Sequence, residues 1–328
     1  MKKASLLAAA LVSAALTNAA PASVALAAEA EAKTFLSIAT GGTAGVYYPL
    51  GVGLAQVITS HLSADVEATA QTSDGSAANV NLAAKHKTTL ALAQSDVVFR
   101  AVNGEKPFQK PVENLRMIAS LYPEYVQCIA AGDSGVRAFS DIEDKRVSVG
   151  TPGSGTMDSV AAIFSVAGVK YSDLDADFLN FADTAERLQD GRLDVGFVIA
   201  GSPTAAVAAL AAQKKIDLVA FEDDLLDNLV ETYPFFIKGV IPAGIYSGVD
   251  HDTPTPALIA VLVCNAALPE KLVYDITKTI FENLEELAPA HDQAKSISLD
   301  SALGGAIAEI HPGAAKYYAE KGLQVPSF

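Results

Sequence analysis

The stretch TFLSIATGGTAGVYYPLGVGLAQVITSHL, Thr34–Leu62, decides how the rest of the chain is read. TFLSIAT is a short apolar run of strand character. YPLGVGLAQVITSHL is helical, with Val52, Ala55 and Ile58 expected on one face. Between them lie the glycines of GGTAG, followed by Tyr47 and Tyr48. Strand, glycine-rich turn and helix in this order present backbone N–H groups and a helix N-terminus to an anion. The turn fits neither the dinucleotide fingerprint G-x-G-x-x-G nor a P-loop, because no Gly-Lys follows it.

Working outward, the same alternation recurs. ADVEATAQ is a strand that ends in the turn Ser73-Asp74-Gly75-Ser76; a helix follows over Ala77–Ala84, then the strand TLALAQ. Later KRVSVG (145–150) reads as a strand and MDSVAAIFSVAG as a helix stopped by Gly168. DADFLNF, TAERLQDG, LDVGFVIAG and KIDLVAF continue the pattern. Such alternation implies parallel sheets with helices on both faces. Near residues 123–140 and 240–266 it is interrupted by the long strand-like runs YVQCIAA and ALIAVLVCNA, as expected where the chain crosses between two α/β units. From LPEKLVYDITKTIFENLEEL onward the chain is mostly helical.

Ligands of open α/β sheets lie beyond the carboxyl ends of the strands. The loops there are Thr40–Tyr48, Ser73–Ser76, Gln94–Asp96, Gly150–Asp158 and Gly201–Pro203, and none contains Lys, Arg or His. An anion held there relies on N–H groups, hydroxyls and helix ends rather than on a cation. VGTPGSGTMD is the sharpest case: Ser154 or Thr156 caps a helix, and Gly153 and Gly155 let a carboxylate approach.

Catalytic readings weaken on inspection. GSGTMD with Asp173 and Asp175 downstream is half a dinucleotide fingerprint, but Asp158 replaces the third glycine and opposes a pyrophosphate. Ser154 does not sit in G-x-S-x-G. His61, His86, His251, His291 and His311 have no metal-ligand spacing, and the acidic pairs Asp223-Asp224 and Glu285-Glu286 read as solvated helix faces. No cofactor, metal site or catalytic set is expected.

The chain of 328 residues opens with Met-Lys-Lys, an uncharged stretch from Ala4 to Leu16, and the A-x-A site Ala25-Leu26-Ala27. This is the pattern of a secretory signal peptide over residues 1–27, with Ala28 and Ala30 as alternative cleavage points, and it places the mature protein in the periplasm. Cleavage after Ala27 leaves 301 residues, about two domains. Losing Lys2 and Lys3 takes the basic residues from 23 to 21 against 38 acidic ones, a formal charge of −17 that repels nucleic acid and anionic lipid. Cys128 and Cys264 lie in apolar runs, which fits buried thiols; export equally permits a disulfide.

With these loops set out, the chain resembles the TAXI-type solute receptors, the extracytoplasmic subunits of TRAP transporters. The matching stretches are TGGTAGVYYPLG, SDGSAANV, LAQSDV, LRMIASLYPEYVQ, KRVSVGTPGSGT, LQDGRLDVGFVIAGSP, IPAGIYSG and HPGAAKYYAEKG, in order from Thr40 to Gly322. GTxGxYYPxG and HPGAxxYY are the most specific of them. The resemblance implies a type II periplasmic binding protein: two α/β lobes with a central ligand cleft, two crossing strands, and closure on ligand. The lobes would be residues 28–125 plus 245–328 and residues 126–244. It further implies a monomer that binds a small carboxylate, such as a glutamate-like amino acid, a C4–C5 dicarboxylate or 2-oxoglutarate, and hands it to a membrane permease. Carried over by position, the ligand-binding residues are Gly42, Thr43, Tyr47, Ser73, Ser76 and Gln94 from one lobe, and Ser154, Gly155, Thr156 and Gly201 from the other. Asp74 departs from an anion site and is expected to face an ammonium group. Arg100 and Arg116, the first-lobe candidates for a guanidinium clamp, lie outside the cleft loops. Two other readings stand beside this one: a periplasmic dinucleotide-dependent enzyme, and a sensing or surface antigen that uses the fold without transport.

Overall fold

A computed structural model describes residues 33–328. The expected signal peptide, residues 1–27, lies outside the described residues.

The first α/β unit runs β1 (Thr34–Ala39), α1 (Tyr47–His61), β2 (Val66–Gln71), α2 (Ser76–Ala84), β3 (Leu90–Gln94) and α3 (Ser95–Asn103). The long strand β4 (Leu115–Ala131) leads into β5 (Arg146–Ser148), α4 (Gly155–Ala167), β6 (Asp175–Asp177), α5 (Phe181–Gln189), β7 (Val195–Ala200), α6 (Ala205–Ala211), β8 (Ile216–Leu218), α7 (Asp223–Thr232) and β9 (Ile237–Ile241). The chain returns through β10 (Thr253–Asn265) and ends in α8 (Glu270–Glu282), the single turn α9 (Leu284–Leu287) and α10 (Pro312–Glu320).

The strands form one sheet in the order β2-β1-β3-β10-β4-β7-β5-β6, with β8 paired to β4 and β9 to β10. β1, β2 and β3 are parallel, as are β5, β6 and β7. The antiparallel strands β4 and β10 join the two sets. The first part of β4, Leu115–Tyr125, pairs with β10, and Tyr125–Ala130 pairs with β7. β10 likewise pairs with β9 as far as Ala257 and with β3 over Ala260–Cys264. Both strands therefore change partner near Tyr125 and Ala257, and each parallel set builds its own α/β lobe on either side.

Two buried clusters follow from this layout. One packs Ile38, Leu50, Leu54, Ile58, Leu92, Ile118 and Leu262 beneath α1, α2 and α8. The other gathers Val147, Phe164, Val195, Phe197, Phe221 and Phe236. Phe139 meets the rings of Phe164, Phe197 and Phe221 at 4.9–6.3 Å between centroids. Each fully buried Leu, Ile or Phe stabilises the fold by about 1.5–3 kcal/mol.

The alternation predicted the elements better than their edges. α1 turns Leu50, Leu54, Val57 and Ile58 inward, whereas Val52, expected on that face, is exposed. Glycines at 51 and 53 make the pattern shallow there, so its period is easily misplaced. DADFLNF is strand only at Asp175–Asp177, because the Asn180 side chain caps α5 and starts the helix at Phe181. The run near 240–266 is two strands, β9 and β10, separated by a loop. Cys128 and Cys264 are free, buried thiols, one in each core; burial pushes the Cys264 thiol up to about 12 and Cys128 higher still.

Candidate functional site

Five helices, α1 to α5, begin at the rim of one cavity of about 320 Å³. It is lined by the GGTAG loop, by Ser73–Ser76, Gln94 and Glu124, and from the other side by Gly150, Thr151, Ser154–Thr156 and Leu179–Ala182. Each helix follows a parallel strand; β1–β3 run opposite to β5–β7 across the sheet, so the positive ends of α1–α3 and those of α4 and α5 face the cavity from its two sides, each at the carboxyl edge of its own strands. α1, α2 and α3 carry no side-chain N-cap, which leaves their first N–H groups without a local acceptor from the cap. α4 and α5 are capped by Ser154 and Asn180, which accept from Met157 N at 3.2 Å and Asp183 N at 2.9 Å. Among the described residues, none that lines the cavity is Lys, Arg or His.

The walls meet directly. Ala78 N donates to Gly153 O at 3.2 Å, Ala206 N to Ala44 O at 3.1 Å, and Ser159 Oγ to Asp96 Oδ2 at 2.7 Å. Gly155 approaches Gln94 so closely that a Cβ there would overlap the Gln94 amide, and Gly75, at φ +107°, packs on Ser154. The cavity is thus a cleft between the two walls, open at the rim where Asp74 is exposed.

Of the ten residues nominated from sequence, Gly42, Thr43, Tyr47, Ser73, Ser76, Gln94, Ser154, Gly155 and Thr156 line this cavity. Gly201 does not. It packs against Gln293 and Tyr122, and its carbonyl accepts from Thr204 Oγ1 at 2.8 Å. Some nominated hydroxyls already serve the protein. Ser154 Oγ donates to Thr151 O at 2.7 Å besides capping α4, and Ser73 Oγ donates to Thr40 O at 2.9 Å and accepts from Gly75 N at 3.1 Å. Ser76 Oγ accepts from Gln94 N at 3.1 Å. Tyr47 Oη donates to Glu124 Oε2 at 2.8 Å.

Glu124 is the residue that sequence reading missed. It stands in β4, is 2% exposed, and lines the cavity. Burial pushes its carboxyl up to about 8 against the hydrogen bond from Tyr47, and the charge on Asp96 adds to the rise. The available signal was a single acid inside the apolar run LYPEYV. Asp74, by contrast, is exposed at the rim. Behind the wall, burial raises Asp96 to about 6 and Asp158 to about 7; Arg100 opposes both shifts while stacking 5.4 Å from the Phe235 ring centre. Arg116 pairs with Glu309 at 2.8 Å, away from the cavity. The histidines serve locally: His311 and His291 cap helical turns, and His61 pairs with Glu286. Among the described residues, no group of three His, Cys, Asp or Glu side chains is placed to hold a metal. Asp173 and Asp175, the residues a bound ribose would need, lie outside the lining.

The chain matches known proteins at two levels. The model of the NMT1-like family matches residues 38–322. Among solved structures, a protein from Bordetella bronchiseptica RB50 is similar at a TM-score of 0.51 and 16% identity, over 90% of this chain and 91% of that one. A putative L-cystine ABC transporter from Listeria monocytogenes is similar at 0.50 and 12%, over 82% and 98%. The periplasmic aliphatic sulphonate binding protein SsuA from Escherichia coli gives 0.49 and 14%, over 89% and 80%. The first two likenesses carry the fold alone, two α/β lobes.

Proposed function

Since the chain belongs to the NMT1-like family, we propose that it is a solute receptor of a TRAP-type secondary transporter, which takes a small carboxylate in the periplasm and delivers it to the membrane permease. The observation that carries this reading is the convergence of five helix N-termini on one cavity whose lining, among the described residues, holds no cation. Each helix end acts as roughly half a positive charge, and together they hold a carboxylate without a guanidinium. A cavity of about 320 Å³ is at the small end of ligand sites, in keeping with a small acid. Ligand-binding roles fall to Gly42, Thr43, Tyr47, Gln94, Gly155 and Thr156, with Ser73, Ser76 and Ser154 shaping the loops.

The lobes, residues 28–125 plus 245–328 and residues 126–244, would hinge where β4 and β10 change partner, near Tyr125 and Ala257. Ligand favours the closed form by its higher affinity for it. Native mass spectrometry of the freshly purified protein should show a co-purified small acid, and its removal should enlarge the particle in small-angle scattering. A co-purified dinucleotide would replace this reading with the enzymatic one. An unchanged radius on removal would remove the hinge.

A further inference from the structure

We infer that the Glu124 carboxyl is the group with which this cavity reads a ligand ammonium, so that the receptor prefers an α-amino acid to the matching 2-oxo acid. The inference rests on the carboxylate reading above and deepens it.

A cavity formed by five helix N-termini attracts negative charge, and a carboxyl at its floor is the wrong sign for a plain anion. Glu124 is 2% exposed, and among the described residues the groups that act on its charge are Tyr47 and Asp96, neither of them a cation. Tyr47 reaches it from α1, Asp96 faces it from α3, Tyr122 adjoins it on β4, and Leu258 is its partner on β10. Tyr47 engages Oε2; Oε1 has no donor from the protein among the described residues. A buried carboxylate without a cation is costly, so the group is kept either by a proton or by a cation that arrives with the ligand. The exposed Asp74 cannot do this work, because water screens an ion pair at the rim to little value.

Burial, which pushes the Glu124 carboxyl up to about 8, favours its protonated form at neutral pH. When an amino acid enters, its carboxylate meets the helix ends and its ammonium meets Oε1. The carboxyl ionises, and one proton leaves to solvent. A 2-oxo acid brings no cation, so Glu124 stays protonated and donates its O–H to a ligand oxygen. The two ligand types therefore have opposite pH dependence.

The test is calorimetry of the mature protein with L-glutamate and 2-oxoglutarate at pH 6.5 and 8.5, in buffers of different ionisation enthalpy, for the parent and Glu124→Gln. Glutamate should bind the parent with release of close to one proton at pH 6.5, and about twentyfold more tightly at pH 8.5. 2-Oxoglutarate should bind without proton release and weaken a fewfold over the same range. Glu124→Gln keeps an acceptor for Tyr47 and an amide donor in place of the O–H; it should abolish the proton release and the pH dependence seen with both acids, and weaken glutamate most at pH 8.5. Asp96 and Asp158 remain in that variant, so it separates their titration from that of Glu124. Binding of both acids without proton release, or glutamate binding untouched by Glu124→Gln, overturns the ammonium role and leaves the receptor reading standing. Binding of 2-oxoglutarate alone does the same. No binding of either acid overturns both.

Discussion

The two walls of the cavity are built from the same strand–loop–helix unit, yet they treat their helix ends differently. On the first wall α1, α2 and α3 start without side-chain caps, and the buried pair Tyr47–Glu124 stands beside them. On the second wall Ser154 and Asn180 cap α4 and α5, and Gly153 and Gly155 lie flush against the first wall. An N–H group without a capping side chain can turn to another acceptor, as Ala78 N of α2 does to Gly153 O across the walls, whereas capped ones are already bonded. The first wall is thus equipped to recognise, and the second to close.

The sharpest way to break this division is Gly155→Asp. Its Cβ would overlap Gln94, and its carboxylate adds bulk and charge where the walls meet, so closure fails. Affinity should fall by about 3 kcal/mol or more while circular dichroism remains that of the folded chain. Parent-like affinity in folded protein would mean that the walls need not touch.

A second comparison concerns pH. Burial raises Glu124 to about 8, Asp158 to about 7 and Asp96 to about 6. The folded chain then keeps protons that the unfolded chain has lost. The stabilisation is full below the ordinary carboxylate range and is lost as pH rises to about 8. Thermal unfolding of the ligand-free protein should show Tm falling between pH 5 and 8. Glu124→Gln should flatten the upper part of that slope, recovering roughly 2 kcal/mol or more at pH 8. A slope unchanged in the variant would place its origin in Asp96 and Asp158.

Ser159→Ala removes the hydroxyl that reaches from α4 to Asp96 Oδ2 at 2.7 Å across the two walls. Because its partner is buried, the change should cost about 1.5–3 kcal/mol, seen as weaker ligand binding and a lower Tm. An unchanged affinity would assign this bond to stability alone.

Ser154→Ala is the mild case. The Oγ bonds to Thr151 O and Met157 N, so its loss should lower stability by about 1 kcal/mol and move affinity little. An affinity loss larger than the stability loss would return Ser154 to direct ligand contact.

The loops that form the cavity were legible because each follows an apolar run and precedes a helical one, and period and glycine content are local signals. Nine nominated residues line the cavity for that reason. The errors arose where a local pattern had two solutions. Val52 fell on the wrong face of α1, whose glycines blur the period, and Gly201 sits at a strand end that Gln293 covers from the distant C-terminal segment.

The chain's own order of residues determined the alternating α/β architecture, the two crossings, and a site free of cations, since these depend on neighbours within about one element length. Tertiary structure alone decided the meaning of Glu124. In LYPEYV it is one acid in a strand, and alternation would permit it to face water. Only the packing of α1, α3 and β10 around β4 withdraws it from solvent, brings Tyr47 onto one oxygen and places it on the cavity. Likewise, whether a serine hydroxyl meets a ligand or its own loop depends on which acceptor the folded turn brings closer. Burial and the direction of a side chain are properties of the assembled walls, and no stretch of sequence contains both walls at once.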